Sequence, residues 1–551
     1  MYNVRWLEIG KVQDAMKLIK IPRNRGRGKP SLQKRQKCVT ALIAFVLLAF
    51  GASVFAAAKE PERYDFRRPE IIPAPKEMTY ESSIPVRIES ATQFVVACPD
   101  AAAAAWVKDK VAAWFGLKSV AVAADRTTPT ALRDQGDEGY SFEAAPGRIA
   151  IGANTLQGVK WAMHALRQAA ERESVGRTLQ GWWLPALKVR DRPALAFRGI
   201  HFCWFPECSV QLIERQIRIA ACYRFNYVVL ENWGVFKSER HPYLAVPNAP
   251  LTVPEAKRLA ALAKDLGVTL IPQVNIYGHA ALQRARGGKH TTLDYGPEHL
   301  PLFEPGGWNW CLSNPEGPKV VQELIVEMHE AFGSPPFFHI GCDEADPPTC
   351  PTCRAVKPYA RLVEKHIPEV VDILRQRGAR AMMWHDMLLE KGKWSPFYAH
   401  GDADEAKMAD TLAKDIVVCD WYYGSDPAGN DKTAGQSATG SYPTLDHFAA
   451  KGFSVLTCPW RETKGIVAQA KYVREKGMFG LLETIWHHYR GLEFVNMVEI
   501  SACAAWGAER NDPKRRGRPF ATNWRQCGWD MGVPTYEETG FCDHQVTRDI
   551  D

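Results

Sequence analysis

Two adjacent carboxylates close an apolar, strand-like run in the segment His339-Ile340-Gly341-Cys342-Asp343-Glu344. Successive residues leaving a strand point to opposite sides, so one acid can reach a reacting bond while its neighbour turns to another part of the same substrate. Asp343 and Glu344 are therefore the catalytic candidates. Other apolar runs end in the same kind of residue: Glu231-Asn232-Trp233, then Asn275, Tyr277 and His279, then Trp384-His385-Asp386. Asp420-Trp421-Tyr422-Tyr423, Trp460 and Trp486-His487-His488 follow further along. Indole and phenol faces stack on pyranose rings and carboxylates bind hydroxyls, so this mixture at one rim has the composition of a sugar site.

The elements that must position these residues are legible as apolar runs. From Ala196 onward, short β-rich runs alternate with helix-length amphipathic segments, which argues for parallel strands with covering helices. The runs are Phe197–Phe202, Tyr227–Leu230, Thr269–Asn275, Phe337–Ile340, Ala381–Trp384, Ile416–Cys419, Ser454–Thr457 and Gly480–Thr484. Eight of them predict an α/β chain with a (β/α)8 TIM barrel, whose chemistry sits at the C-terminal ends of the strands; a doubly wound open sheet is the competing architecture. Upstream, strand-like runs at 94–97 and 148–151 mix with helical patterns at 101–114 and 155–172, a small α/β accessory domain preceding the barrel. The expected boundaries are a leader over 1–56, linker and accessory domain over 57–190, barrel over 191–510 and a C-terminal extension over 511–551.

The chain has 551 residues, 46% hydrophobic and 24% charged, enough apolar material for a sizeable core. Its formal charge of +7 is a property of the leader, because residues 1–56 hold 11 Lys/Arg and 2 Asp/Glu, leaving 58 basic against 60 acidic residues beyond them. A neutral remainder removes the electrostatic case for a nucleic-acid partner. Basic residues up to Lys37, an apolar run from Cys38 to about Phe50 and small residues through Ala58 read as an export signal cleaved near Ala56, giving a periplasmic or extracellular protein. An uncleaved leader would anchor the chain to a membrane through residues 38–56. No phosphate-binding glycine loop or nucleotide fingerprint occurs, so no cofactor is expected. Cys350-Pro-Thr-Cys353, with Cys342 upstream, lacks a second ligand pair at zinc-site spacing, which favours a disulfide or free thiols over a metal.

The segment 339–344 resembles the H-x-G-G-D-E signature that ends the fourth barrel strand in glycoside hydrolase family 20, the β-N-acetylhexosaminidases. Ile71–Lys76 is similar to the opening of that family's accessory domain, and Gly158–Leu166 to its helix. Asp191-Arg192-Pro193 with Phe197-Arg198-Gly199 resembles the domain junction and first barrel strand, Ile271–Asn275 with Gly278-His279 the third-strand motif, and Cys311–Pro315 the approach to the helix before the acid pair. The resemblance implies retaining, substrate-assisted hydrolysis of terminal β-linked N-acetylhexosamine from an amino-sugar glycoside or glycan. Glu344 would be the general acid, kept protonated by an apolar surround that raises its pKa. Asp343 would orient the acetamido group, whose carbonyl oxygen is the nucleophile. Arg198, His279, His339, Trp384, Asp386, Trp421, Tyr423 and Trp486 would bind substrate, the histidines orienting the carboxylates and the aromatics walling the acetamido methyl and sugar ring.

Three departures from the family pattern stand out. Cys342 replaces the second glycine, the stretch 200–207 lacks the Asp and sugar-gripping Arg usual after the first-strand Arg-Gly, and His487 replaces the acid after the last-strand Trp. Two other readings stay open: a non-catalytic carbohydrate-binding barrel, and a two-carboxylate glycosidase pairing Glu344 with Glu483 or Asp386.

Overall fold

The computed structural model describes residues 68–508, apart from 128, 176–177, 206–207, 282–291, 395–397, 422, 424–441, 462 and 487–490. The leader, Tyr422, His487, His488 and the C-terminal extension lie outside the described residues. Seven strands form the first sheet: β1 (Glu77–Ile88), β2 (Gln93–Ala97), β3 (Ala121–Asp125), β4 (Tyr140–Ala145), β5 (Arg148–Ala153), β6 (Glu171–Val175) and β7 (Thr178–Asp191). They run in the order β1-β7-β4-β5-β2-β3, with β6 on β7, and the helices Ala103–Phe115 and Leu156–Ala169 pack on them.

All eight apolar runs become strands of a closed parallel barrel: β8 (Phe197–Trp204), β9 (Tyr227–Asn232), β12 (Thr269–Gln273), β13 (Phe337–His339), β14 (Arg380–Trp384), β15 (Val417–Asp420), β16 (Ser454–Thr457) and β17 (Gly480–Ile485). The short pair β10 (Phe236–Lys237) and β11 (Leu251–Thr252) stands apart. Six paired residues, Gly480 with Phe197 through Ile485 with Phe202, close β17 on β8 and exclude the open sheet. Local sequence supports each βα unit. In the helix Val253–Leu266, Thr252 accepts the Glu255 N–H, Pro254 occupies the first turn and Gly267 closes the helix at φ 94. Such an N-cap contributes about 1 kcal/mol. Ala256, Leu259, Ala263 and Leu266 line the buried stripe that a 3.6-residue period requires.

The first sheet docks against the N-terminal end of the barrel through its two helices. Trp106 Nε1 donates to Asp265 Oδ1 at 2.8 Å, His164 Nε2 contacts the Leu266 carbonyl at 3.0 Å, and Gln168 Nε2 donates to the Cys222 carbonyl at 2.7 Å. This docking corrects the expectation for Arg198. It lies at the start of β8, only 1% exposed, at the end of the barrel opposite the chemistry. Its guanidinium pairs with Glu138, donates to the Leu195 carbonyl at 2.8 Å and lies 5.0 Å over the Trp506 ring. Arg198 ties the two layers together and has no access to a ligand.

Trp506, at the end of the last barrel helix, belongs to the core of the first sheet and donates to Asp191 at 2.8 Å. Cys222 is disulfide-bonded, and ten other described cysteines carry free thiols. Among the described residues no helix is long and apolar enough to cross a membrane.

Candidate active site

The loop after β13 carries the acid pair in a backbone that few side chains adopt. Gly341, Cys342 and Glu344 have φ of 66, 76 and 45, and His279, across the site, has φ 52. Left-handed non-glycine residues cost roughly 1–3 kcal/mol each and persist only where neighbours over-determine them. Those neighbours are visible. The Gly341 N–H donates to His339 Nδ1 at 3.1 Å and its carbonyl accepts from the Trp384 N–H at 2.9 Å. The Glu344 N–H donates to Asp386 Oδ2 at 2.8 Å, and its carbonyl accepts from Trp308 Nε1 at 2.7 Å. Asn309 and Asp346 exchange two further hydrogen bonds, at 2.6 and 3.1 Å. A Cβ at position 341 would fall 2.0 Å from Asn275 Oδ1, and one at 278 would fall 2.2 Å from the Asp343 carbonyl. Glycine is required at both by close approach.

His279 stands between the two acids, its Nε2 3.3 Å from Asp343 Oδ2 and 3.4 Å from Glu344 Oε2. Burial works against a charged imidazole, but the two carboxylates outweigh it and hold the His279 pKa well above its ordinary value. Burial pushes Asp343 up to about 6 against the pull of His279, with Asp386 and Glu231 adding in the same direction. For Glu344 burial also acts upward, yet its contact with His279 prevails and leaves the carboxyl below the usual glutamate range. The expectation that an apolar surround keeps Glu344 protonated is thereby corrected: the Glu344 side chain is 43% exposed and its neighbour is a cation. In the free protein the proton resides on His279.

Beneath this triad lies a buried polar layer. Glu231 accepts from Asn275 Nδ2 at 2.7 Å and contacts His201 Nε2 at 3.0 Å and Cys203 Sγ at 3.1 Å. Its burial is outweighed by His201 and His279, and its pKa lies down at about 2. Among the aromatics, Trp421, Tyr423 and Trp486 form a linked set: Trp421 and Tyr423 centroids are 5.6 Å apart, and Trp486 Nε1 donates to the Tyr423 hydroxyl at 3.0 Å. Burial, and in lesser part the Glu344 charge, raises the Tyr423 phenol well above its ordinary value. Tyr423 stays a neutral hydroxyl beside the acid.

Three expected ligand contacts are corrected. Asp386 is fully buried, and its oxygens accept from the Glu344 N–H, His400 Nδ1 at 2.9 Å and Trp421 Nε1 at 3.1 Å. It positions Glu344 and Trp421 from behind. His339 is buried against Trp384, with ring centroids 4.4 Å apart, and burial holds its pKa well below the ordinary value. It props the Gly341 turn and touches neither carboxylate by hydrogen bond. Trp384 is fully buried under Trp486, with centroids 5.6 Å apart, so it supports the aromatic set without facing a ligand. Glu483 is buried too and accepts from Ser501 Oγ at 2.5 Å, so neither it nor Asp386 is free to act as a second catalytic carboxylate.

Sequence reasoning missed Trp308, its ring centroid 4.2 Å from that of His279 at a tilt of 54°, and His400, paired with Asp386. Both come from loops with no strand immediately before them, so the strand-end rule gave no signal for either. Of the stretch 200–207, where the family's Arg was sought, residues 200–204 are buried in β8 and 206–207 lie outside the described residues.

Two family models match the chain: glycosyl hydrolase family 20, domain 2, over residues 68–192, and glycosyl hydrolase family 20, catalytic domain, over residues 229–444. The β-hexosaminidase of Porphyromonas gingivalis is 23% identical over 292 residues, 46% of this chain and 36% of that one. The β-hexosaminidase subunit beta of Entamoeba histolytica is 23% identical over 290 residues, 49% of each chain. The aligned part thus spans a third to a half of these relatives. Among solved structures, an exo β-N-acetylglucosaminidase from Vibrio harveyi in complex with N-acetylglucosamine superposes with a TM-score of 0.60 at 17% identity, covering 87% of this chain and 80% of that one. The Streptomyces plicatus N-acetyl-β-hexosaminidase does so with a TM-score of 0.60 at 17% identity, covering 85% and 98%. With both family models in sequence order over more than half its length, a closed barrel and an acid pair at the fourth strand, the chain belongs to glycoside hydrolase family 20.

Proposed function

We propose that this protein is an exported, retaining exo-glycosidase that removes terminal β-linked N-acetylhexosamine by substrate-assisted catalysis. The observation that carries the reading is His279 standing within 3.3 and 3.4 Å of Asp343 and Glu344 where the fourth barrel strand ends, one cation shared by two adjacent carboxylates. A sugar seated against Trp486 and Tyr423 excludes water from Glu344, which disfavours its charge. Glu344 then takes up a proton from solvent, while His279 keeps its charge 3.3 Å from Asp343. Glu344 delivers it to the glycosidic oxygen as the acetamido carbonyl oxygen attacks the anomeric carbon, and afterwards takes a proton from the water that opens the cyclic intermediate. Asp343 remains ionised and accepts from the acetamido N–H, stabilising the positive charge that develops on that group. Export rests on the basic and apolar leader; detection of the mature chain in the periplasm or medium, beginning after Ala56, tests it.

The catalytic reading is tested with aryl β-N-acetylglucosaminide, aryl β-N-acetylgalactosaminide and plain aryl β-glucoside, on the wild type and Glu344→Gln. Turnover of acetamido sugars alone, reduced about 100- to 10,000-fold by the substitution with binding retained, is the expected result. Cleavage of the plain glucoside at a comparable rate would refute substrate assistance. The absence from 200–207 of the sugar-gripping Arg usual after the first-strand Arg-Gly favours a second reading, in which the barrel binds sugars without cleaving them; calorimetric binding with no turnover of any of the three would establish it.

A further inference from the structure

A second group of chemistry-bearing side chains lies behind the acid pair. Glu304 and Cys311 come from the segment between β12 and the helix Glu316–Ala331, Cys350 caps the short helix Pro351–Ala355 that follows Asp343-Glu344, and Cys353 lies within that helix. Cys311 Sγ lies 3.8 Å from Cys350 Sγ and 3.7 Å from Cys353 Sγ. With one carboxylate oxygen of Glu304, the four potential ligand atoms fall within 4.8 Å of one another. A tetrahedral zinc ion with Zn–S bonds of about 2.3 Å requires S···S edges of about 3.8 Å. The observed separations match that edge and are far from the roughly 2.0 Å of a disulfide. All three cysteines are free thiols.

The surroundings are those of a built site. Glu304, Cys311 and Cys353 are buried. Glu304 Oε2 is held by the Thr349 and Cys350 N–H groups at 2.7 and 2.5 Å, while Oε1 is buried with no hydrogen-bond partner. A buried carboxylate oxygen left unpaired is costly, and a cation removes that cost. Ser313 Oγ lies 3.0 Å from Cys353 Sγ, placed to donate to a thiolate.

We propose that Glu304, Cys311, Cys350 and Cys353 bind one Zn²⁺ ion as a closed structural site. Thiolates are soft ligands that select zinc over the hard divalent cations. On binding, the three thiols release three protons to solvent, each sulfur donates a lone pair and no atom changes oxidation state. Four protein ligands leave no position for water, so the ion does no chemistry on substrate. Its effect is to clamp the loop bearing Trp308 and Asn309 to the loop bearing Glu344 and Asp346. Sequence spacing concealed it, because the second ligand pair is Glu304 with Cys311, not two cysteines.

The test is elemental analysis of protein purified without chelator or metal-affinity resin, with X-ray absorption at the zinc edge. The expected result is one zinc per chain, with three sulfur neighbours at about 2.3 Å and one oxygen at about 2.0 Å. The Cys350→Ser/Cys353→Ser variant should hold less than about a tenth of that zinc. Should it fail to fold, thiol titration of the folded wild type decides: Cys311, Cys350 and Cys353 become reactive only after zinc is stripped by a chelator. Protein that neither carries zinc nor takes it up from equimolar zinc sulfate overturns the proposal. A disulfide between any two of the three, or a zinc shell without sulfur, does so equally.

Discussion

Replacing His279 with glutamine removes a positive charge from between Asp343 and Glu344 while leaving an amide able to donate a hydrogen bond. At the observed 3.3 Å and an effective dielectric of about 20, a pair of unit charges interacts by about 5 kcal/mol. The glutamine amide restores about 1 kcal/mol of hydrogen bonding. If solvent and side-chain relaxation absorb two-thirds of the remainder, about 1.4 kcal/mol is still lost, equivalent to one pH unit. The sign follows from which form of Asp343 the cation favours. His279 stabilises the carboxylate, so its removal raises the pKa from about 6, and Asp343 becomes protonated at a higher pH. The mechanism needs Asp343 ionised. The acid limb of kcat/KM against pH for an aryl N-acetyl-β-glucosaminide should therefore move from near 6 in the wild type to about 7 or above in His279→Gln. An acid limb that stays near 6, or falls, would refute the assignment of His279 as the cation that sets the Asp343 charge.

Three further outcomes follow from the geometry. Gly341→Ala puts a methyl 2.0 Å from Asn275 Oδ1 at a φ of 66, and should lower stability by about 2–4 kcal/mol in urea denaturation; an unchanged midpoint would show that the turn is not constrained as described. Asp386→Ala removes the acceptor for the Glu344 N–H, so kcat should fall about 100-fold while KM changes little, in steady-state assays. Arg198→Ala removes the cation paired with Glu138 and should cost about 3 kcal/mol of stability with KM unchanged, whereas a raised KM would return Arg198 to the substrate site.

The barrel was legible because each strand is a short apolar run bounded by turns, and eight such runs admit few closures. The acid pair and His279 were legible for the same reason: they sit where strands end, and in a barrel those ends converge. The same rule overreached at Asp386, which also follows a strand end but is drawn inward by the turn Asp386–Leu388. It could say nothing of Arg198, whose role is set by a second domain docking beneath the barrel. Charge was less legible than position. Whether Glu344 holds a proton depends on an imidazole supplied from the loop after another strand, and no local composition encodes that distance. The thiol cluster shows the same limit, since Cys311 and Cys350 are 39 residues apart and meet only once two loops have folded.

Trp506 gives the molecule an order of assembly. Its indole fills the core of the first sheet and satisfies Asp191, 315 residues earlier. At roughly 5–20 residues per second, a nascent chain waits roughly 15–60 s between making the socket and making the side chain that fills it. Through that interval the first domain presents an apolar hole beside a buried acid that holds Tyr140 and Lys76 but is one hydrogen bond short. The last helix of the barrel thus completes the first domain: a chain ending before residue 506 would leave the core of the first sheet unfilled, whatever the state of the loop bearing Glu344.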